Sequence, residues 1–173
     1  GAVLKPAGLE NSVGILSTFY HKDPSDPRWK DDAAYKEWLA FMDKYYPEGD
    51  KNSTFTVFGY LSAQTLEHTL RQAGNDLSRV NIMKQAANIK DLQLGMMLPG
   101  VVINTGPNDF FPIEQEQMYR FTGEKWEEHG PVDRQDQLVR LHLLARVVER
   151  PRELLARDVH DELVRLLGLY VVE

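Results

Sequence analysis

Cysteine is absent from the 173 residues, which excludes disulfides, thiol catalysis and thiolate metal sites. That absence does not fix the compartment, because many exported bacterial proteins also carry none. No apolar run approaches the roughly 20 residues that a helix needs to span a bilayer. A basic face is missing as well: 20 Lys and Arg against 26 Asp and Glu leave a net charge of -6, which argues against a general nucleic-acid binder. The opening residues, GAVLKPAGLENS, contain neither a basic n-region nor an apolar h-region and begin with Gly, so any export signal is expected upstream of Gly1. There is no nucleophile elbow, phosphate loop or HExxH helix, no internal repeat and no low-complexity tract.

What is present is ordinary for a soluble globular chain: 42% hydrophobic and 27% charged residues, at a length that suits one domain, or one domain plus an appendage. The chain is organised around residues 54–74, TFTVFGYLSAQTLEHTLRQAG. Phe55, Thr56, Val57 and Phe58 read as a short β-rich segment that turns at Gly59 into a helix. Tyr60, Ala63, Leu66, Leu70 and Ala73 recur at helical spacing and form its expected inner face. Gly74 stops it. A strand that delivers aromatics to the mouth of a helix can line a ligand cleft, but aromatics in this pattern read first as core.

In chain order, residues 13–18, VGILST, predict a strand whose apolar run suits burial on both faces. A proline-rich loop follows. In it His21, Asp23 and Asp26 could hold a metal or form an acid/base pair, the basis of a hydrolase reading; beside Pro24 and Pro27 they are better explained as turn formers. Residues 32–46 predict a helix with Tyr35, Trp38, Leu39, Met42, Tyr45 and Tyr46 on its apolar stripe and Pro47 and Gly49 as stops. Ser78 is placed to cap a helix over 79–88 with Val80, Met83 and Ala87 inward. Residues 92–105 read as an exposed connection and then a strand over 101–105. Residues 115–121, the turn Thr122-Gly123-Glu124 and residues 125–128 read as a β-hairpin.

Three long strings, KPAGLENSVGILSTFYHKDPSDPRWKDDAAYKEWLAFMDKYYPEGD, YLSAQTLEHTLRQAGNDLSRVNIMKQAANIKDLQL and GVVINTGPNDFFPIEQEQMYRFTGEKWEEHG, resemble one family in collinear order over residues 1–130. It is the branched-chain amino-acid (Leu/Ile/Val) type of extracytoplasmic substrate-binding protein that serves ATP-driven importers. The resemblance implies an α/β chain with a partial type I periplasmic-binding-protein fold. This would be the C-terminal third, contributing to both lobes, with a crossing near residues 13–18. Members are roughly twice this length, and the family's Ser, Thr and acidic residues that grip the ligand's carboxylate and amine have no counterparts here. The aromatic wall carries over: Phe55 matches the position that touches the ligand side chain, and Tyr60 lies near the cleft. The implied ligand-binding set is Phe55, Tyr60 and Tyr20, with no cofactor, metal or catalytic residue. A periplasmic location, an amino acid or small amide as ligand and a membrane permease as partner follow from the same resemblance.

Residues 131–173 change character. Nine Lys and four Arg precede Gly130, whereas seven Arg and no Lys follow it. Two helices, 135–149 and 152–167, are expected there, divided by Pro151, with His142 and His160 on separate helices. This α-helical tail reads either as a hairpin that covers bare apolar surface or pairs with a second copy, or as sequence joined on by a frame shift or fusion. Self-association through it stays open. For the whole chain the leading function is solute capture for import. Beside it stand a ligand-sensing domain of the same fold and a non-functional gene fragment.

Overall fold

The computed structural model describes residues 4–134. The expected tail helices, with His142 and His160, lie outside the described residues.

Helix α1 spans Ala33–Tyr45 and starts where its cap dictates: the Asp32 carboxylate accepts the Tyr35 N–H at 2.9 Å. The same oxygen receives the buried Lys22 ammonium at 2.7 Å, which ties the proline-rich loop to the helix. Trp38 and Met42 carry the stripe into the core, while Tyr45 and Tyr46 at its C-terminal end are exposed.

Helix α2, Thr54–Ala73, corrects the reading of the organising stretch. Phe55 to Phe58 form its first turns, not a strand. Ser53 takes the N-cap role, accepting the Phe55 N–H at 3.3 Å, and burial of Val57 outweighs the β preference of the four side chains. Because the helix begins six residues early, its inner face is also different. Val57, Leu61, Thr69 and Ala73 are buried, whereas Ala63, Leu66 and Leu70 point outward with Phe55 and Phe58. Helix α3, Arg79–Ala86, is capped by Ser78, which accepts the Asn81 N–H at 3.3 Å. It packs on α2, but Val80 and Met83 are exposed and the half-buried side is that of Asn81, Ile82, Gln85 and Ala86.

Residues 92–105 correct a second expectation. The segment is no exposed connection: Met96, Met97 and Leu98 are buried with Val101 and Ile103, each such side chain contributing ~1.5–3 kcal/mol by burial. No strand forms over 101–105. Leu92 and Ile103 instead exchange backbone hydrogen bonds of 3.1 and 2.8 Å as an isolated bridge. Thr105 donates to the Ala86 carbonyl at 2.7 Å and accepts the Ile89 N–H at 2.9 Å, closing the end of α3. At Gly95 the loop passes so close to α1 that an added Cβ would lie 2.6 Å from the Ala34 Cβ.

Among the described residues the sheet has three strands in the order β1 (Leu16–Phe19), β2 (Gln115–Phe121), β3 (Trp126–Arg134), all antiparallel. β1 is shorter than expected and is an edge strand; Val13 and Ile15 before it are exposed, so it is not buried on both faces. The expected hairpin between β2 and β3 forms, its turn closed by the Thr122 N–H donating to the Lys125 carbonyl at 2.9 Å, with Gly123 at a φ of 104°. Its returning arm runs on to Arg134 instead of ending at 128, so residues 131–134 pair with β2.

Candidate ligand-binding site

Of the three residues expected to touch a ligand, Phe55 stands in the first turn of α2 and is 75% exposed. Tyr60 lies five residues on, about 140° further round the helix axis at 3.6 residues per turn. It is half-buried, with its ring 5.0 Å from that of Phe41 on α1. Burial and the nearby charges of Glu37 and Glu67 push its phenol pKa up. Tyr20 follows β1. Its carbonyl accepts the Leu98 N–H at 3.0 Å, its ring lies 4.8 Å from His21, and burial together with Glu116 raises its pKa. Among the described residues no ring contact joins Tyr20 to Phe55 or Tyr60.

A cleft of about 480 Å³ opens on the sheet, and none of those three lines it. Strand alternation builds its floor: the register puts Phe19, Tyr119 and Trp126 on one face of the three strands. The Phe19 ring meets Tyr119 at 5.1 Å and Trp126 at 5.5 Å, both edge to face. Arg28 reaches into this floor from the proline-rich loop. Its guanidinium lies 4.9 Å from the Trp29 ring and 5.7 Å from that of Tyr119, pairs with Asp26 at 2.7 Å and Glu128 at 2.5 Å, and donates to the Tyr119 hydroxyl at 2.9 Å. Burial opposes the Arg28 charge, but the Glu128 hydrogen bond, Tyr119 and Asp26 outweigh it and raise the pKa. For Tyr119 the burial wins over Arg28, and the phenol pKa rises.

The aspartates of the loop behave as turn formers. Asp23 accepts the backbone N–H and hydroxyl of Ser25 at 2.9 and 2.7 Å, and Asp26 accepts the Arg28 N–H at 3.0 Å. His21 Nδ1 lies 3.3 Å from the Lys22 carbonyl, and burial lowers the imidazole pKa. Among the described residues His21 makes no hydrogen bond to Asp23 or Asp26. Arg28, Tyr119 and Trp126 were not singled out from the sequence. The alternation in QEQMYRF, which puts Tyr119 and Phe121 on one side with Trp126 returning opposite Phe121, was the available signal.

No protein-family model and no curated protein matches the chain. In fold it is similar to a branched chain amino acid ABC transporter from Thermus thermophilus solved with bound valine, with a TM-score of 0.60 and 14% sequence identity. The likeness covers 82% of this chain and 38% of that one. No helix among the described residues is long and apolar enough to cross a membrane.

Proposed function

We propose that this chain is a solute-binding part of an ATP-driven importer, taking a branched-chain amino acid or a related small amide outside the cytoplasm and delivering it to a membrane permease. The observation that carries the reading is the fold likeness to a transporter structure that holds valine. The exposed aromatic start of α2 supports it, since an apolar amino-acid side chain is best selected by such a surface. In this reading Phe55, Tyr60 and Tyr20 contribute the apolar wall, and the groups that neutralise the zwitterion belong to the part of the fold without counterpart in this chain. Burying an ammonium and a carboxylate without partners costs several kcal/mol, so the chain by itself binds only weakly.

The test is a titration of the ¹⁵N-labelled chain with leucine, valine and glycine, followed by amide shifts. Leucine and valine are expected to move resonances around Phe55 and Tyr60 at millimolar concentration, glycine to leave them in place, and Phe55→Ala to abolish the response. Equal shifts with glycine, or none near Phe55, would overturn the site. Micromolar affinity for leucine would overturn the idea that the charge-binding groups lie elsewhere.

A further inference from the structure

The cleft on the aromatic face of the sheet is separate from the wall assigned above, and its chemistry is different. With Arg28 in place it still encloses about 480 Å³, within the range of roughly 300–1,000 Å³ typical of small-molecule sites. Its lining is one-sided in charge. Asp23, Asp26, Glu124, Glu127 and Glu128 face two cations, Arg28 and Lys125, which leaves an excess of three negative charges. Arg28 is shared between Asp26 and Glu128, and Lys125 pairs with Glu127 at 3.0 Å. His21, held by burial away from the protonated form, does not reduce the excess. The floor is made of rings whose negative faces attract cations.

The protein itself shows what this surface accepts. Within the cleft the Arg28 guanidinium lies 5.7 Å from the Tyr119 ring, pairs with the Asp26 and Glu128 carboxylates and donates to the Tyr119 phenol, while the Trp29 ring, its other contact, lies outside the lining. We propose that the cleft formed by Phe19, Tyr119, Trp126 and the Asp26, Glu124 and Glu128 carboxylates is a second binding site, for a small organic cation with a planar guanidinium or amidinium head and an apolar body. The head sits beside Arg28 against the acidic rim, and the body lies on Phe19 and Trp126. An anion is repelled by the same rim, and a neutral apolar molecule leaves the excess carboxylate charge uncompensated. The inference does not depend on amino-acid binding at Phe55.

The probe is benzamidine, compared with its neutral isostere benzamide and the anion benzoate, on the full chain, read by tryptophan fluorescence and by the Trp126 indole N–H resonance. Saturable benzamidine binding is expected, at least about tenfold tighter than that of either isostere, and weaker as salt is raised. Glu128→Gln is expected to weaken it about tenfold, the loss of one charge-assisted contact. Because that change also releases Arg28, Glu124→Gln is the second variant: its thermal melt is expected to be unchanged while benzamidine binding drops severalfold. Benzamide binding as tightly as benzamidine, no saturation, or an unchanged affinity in Glu124→Gln and Glu128→Gln alike would overturn the site. The leucine titration reads resonances near Phe55 and benzamidine those near Trp126, so failure of either site leaves the other measurable.

Discussion

Asp32 holds two parts of the molecule with one carboxylate, and replacing it separates their contributions. It caps α1 through the Tyr35 N–H and neutralises Lys22, whose side chain is only 7% exposed. Asp32→Asn keeps an acceptor at the cap but leaves the Lys22 ammonium without a counter-charge. Breaking one side of a buried pair costs about 3–5 kcal/mol. Asp32 is itself 29% exposed, so water reaches the pair and a cost at or just below the bottom of that range, about 2–3 kcal/mol, is expected. Asp32→Ala also loses the cap and is expected to cost about 1 kcal/mol more. Adding Lys22→Met to Asp32→Asn removes the orphaned charge and is expected to return the protein to within about 1 kcal/mol of its starting stability. Urea unfolding at neutral pH, followed by far-ultraviolet circular dichroism, measures all four proteins, with an unchanged denaturant slope as the sign that only stability has moved. The pH dependence gives a second check. Burial works to raise the Asp32 pKa, but the Lys22 hydrogen bond and the Tyr35 and Ala34 backbone hold it below the ordinary 3.8. A depressed carboxylate stabilises fully above its unfolded value and loses that contribution as pH falls through its folded value, so wild type and Asp32→Asn should converge below 3.8. A cost below about 0.5 kcal/mol for Asp32→Asn, or a double variant no more stable than the single one, would refute the pairing argument.

Three further outcomes follow from the packing. Met96→Ala should cost about 2–5 kcal/mol by urea unfolding, whereas Val80→Ala, at an 81% exposed position, should stay within about 0.5 kcal/mol. Gly95→Ala should cost about 1–3 kcal/mol, because the new methyl meets Ala34 at 2.6 Å, and Gly95→Ala with Ala34→Gly should recover part of it. Burial lowers the His21 pKa, outweighing the Lys22 carbonyl and the Asp23 charge, so protonation is harder in the folded chain than in the unfolded one. Stability should therefore decline as pH falls below 6.5, and His21→Gln should flatten that slope in urea midpoints measured across the acid range.

Elements whose boundaries are written locally were the readable ones. Asp32 before α1 and the Pro47-Glu48-Gly49 stop after it define a helix without help from the rest of the chain. The β2–β3 hairpin is likewise legible from alternation around the Thr122-Gly123 turn. Phe55-Thr56-Val57-Phe58 misled because β-branched and aromatic side chains prefer strands in isolation, while their conformation is set by the Ser53 cap and by where Val57 is buried. The helix frame then shifted, which moved Leu66 and Leu70 from the expected core to the surface. Met96, Met97 and Leu98 carry no periodic signal, since their burial comes from a loop pressed on α1 at Gly95. The aromatic cleft was hidden for a related reason: Phe19 and Arg28 meet Tyr119 and Glu128 only after about a hundred intervening residues have folded between them.

That separation matters during synthesis. β1 hydrogen-bonds to a neighbour encoded near residue 117, so its backbone leaves the ribosome long before a partner for it exists. At roughly 5–20 residues per second the edge waits on the order of 5–20 seconds, uncovered and able to pair with other nascent chains. Polar Ser17 and Thr18 inside such a short strand weaken that temptation. Closure of the sheet therefore waits for β2, and a cut anywhere between α3 and β2 should unlatch the molecule more thoroughly than the few bonds lost at the cut would suggest.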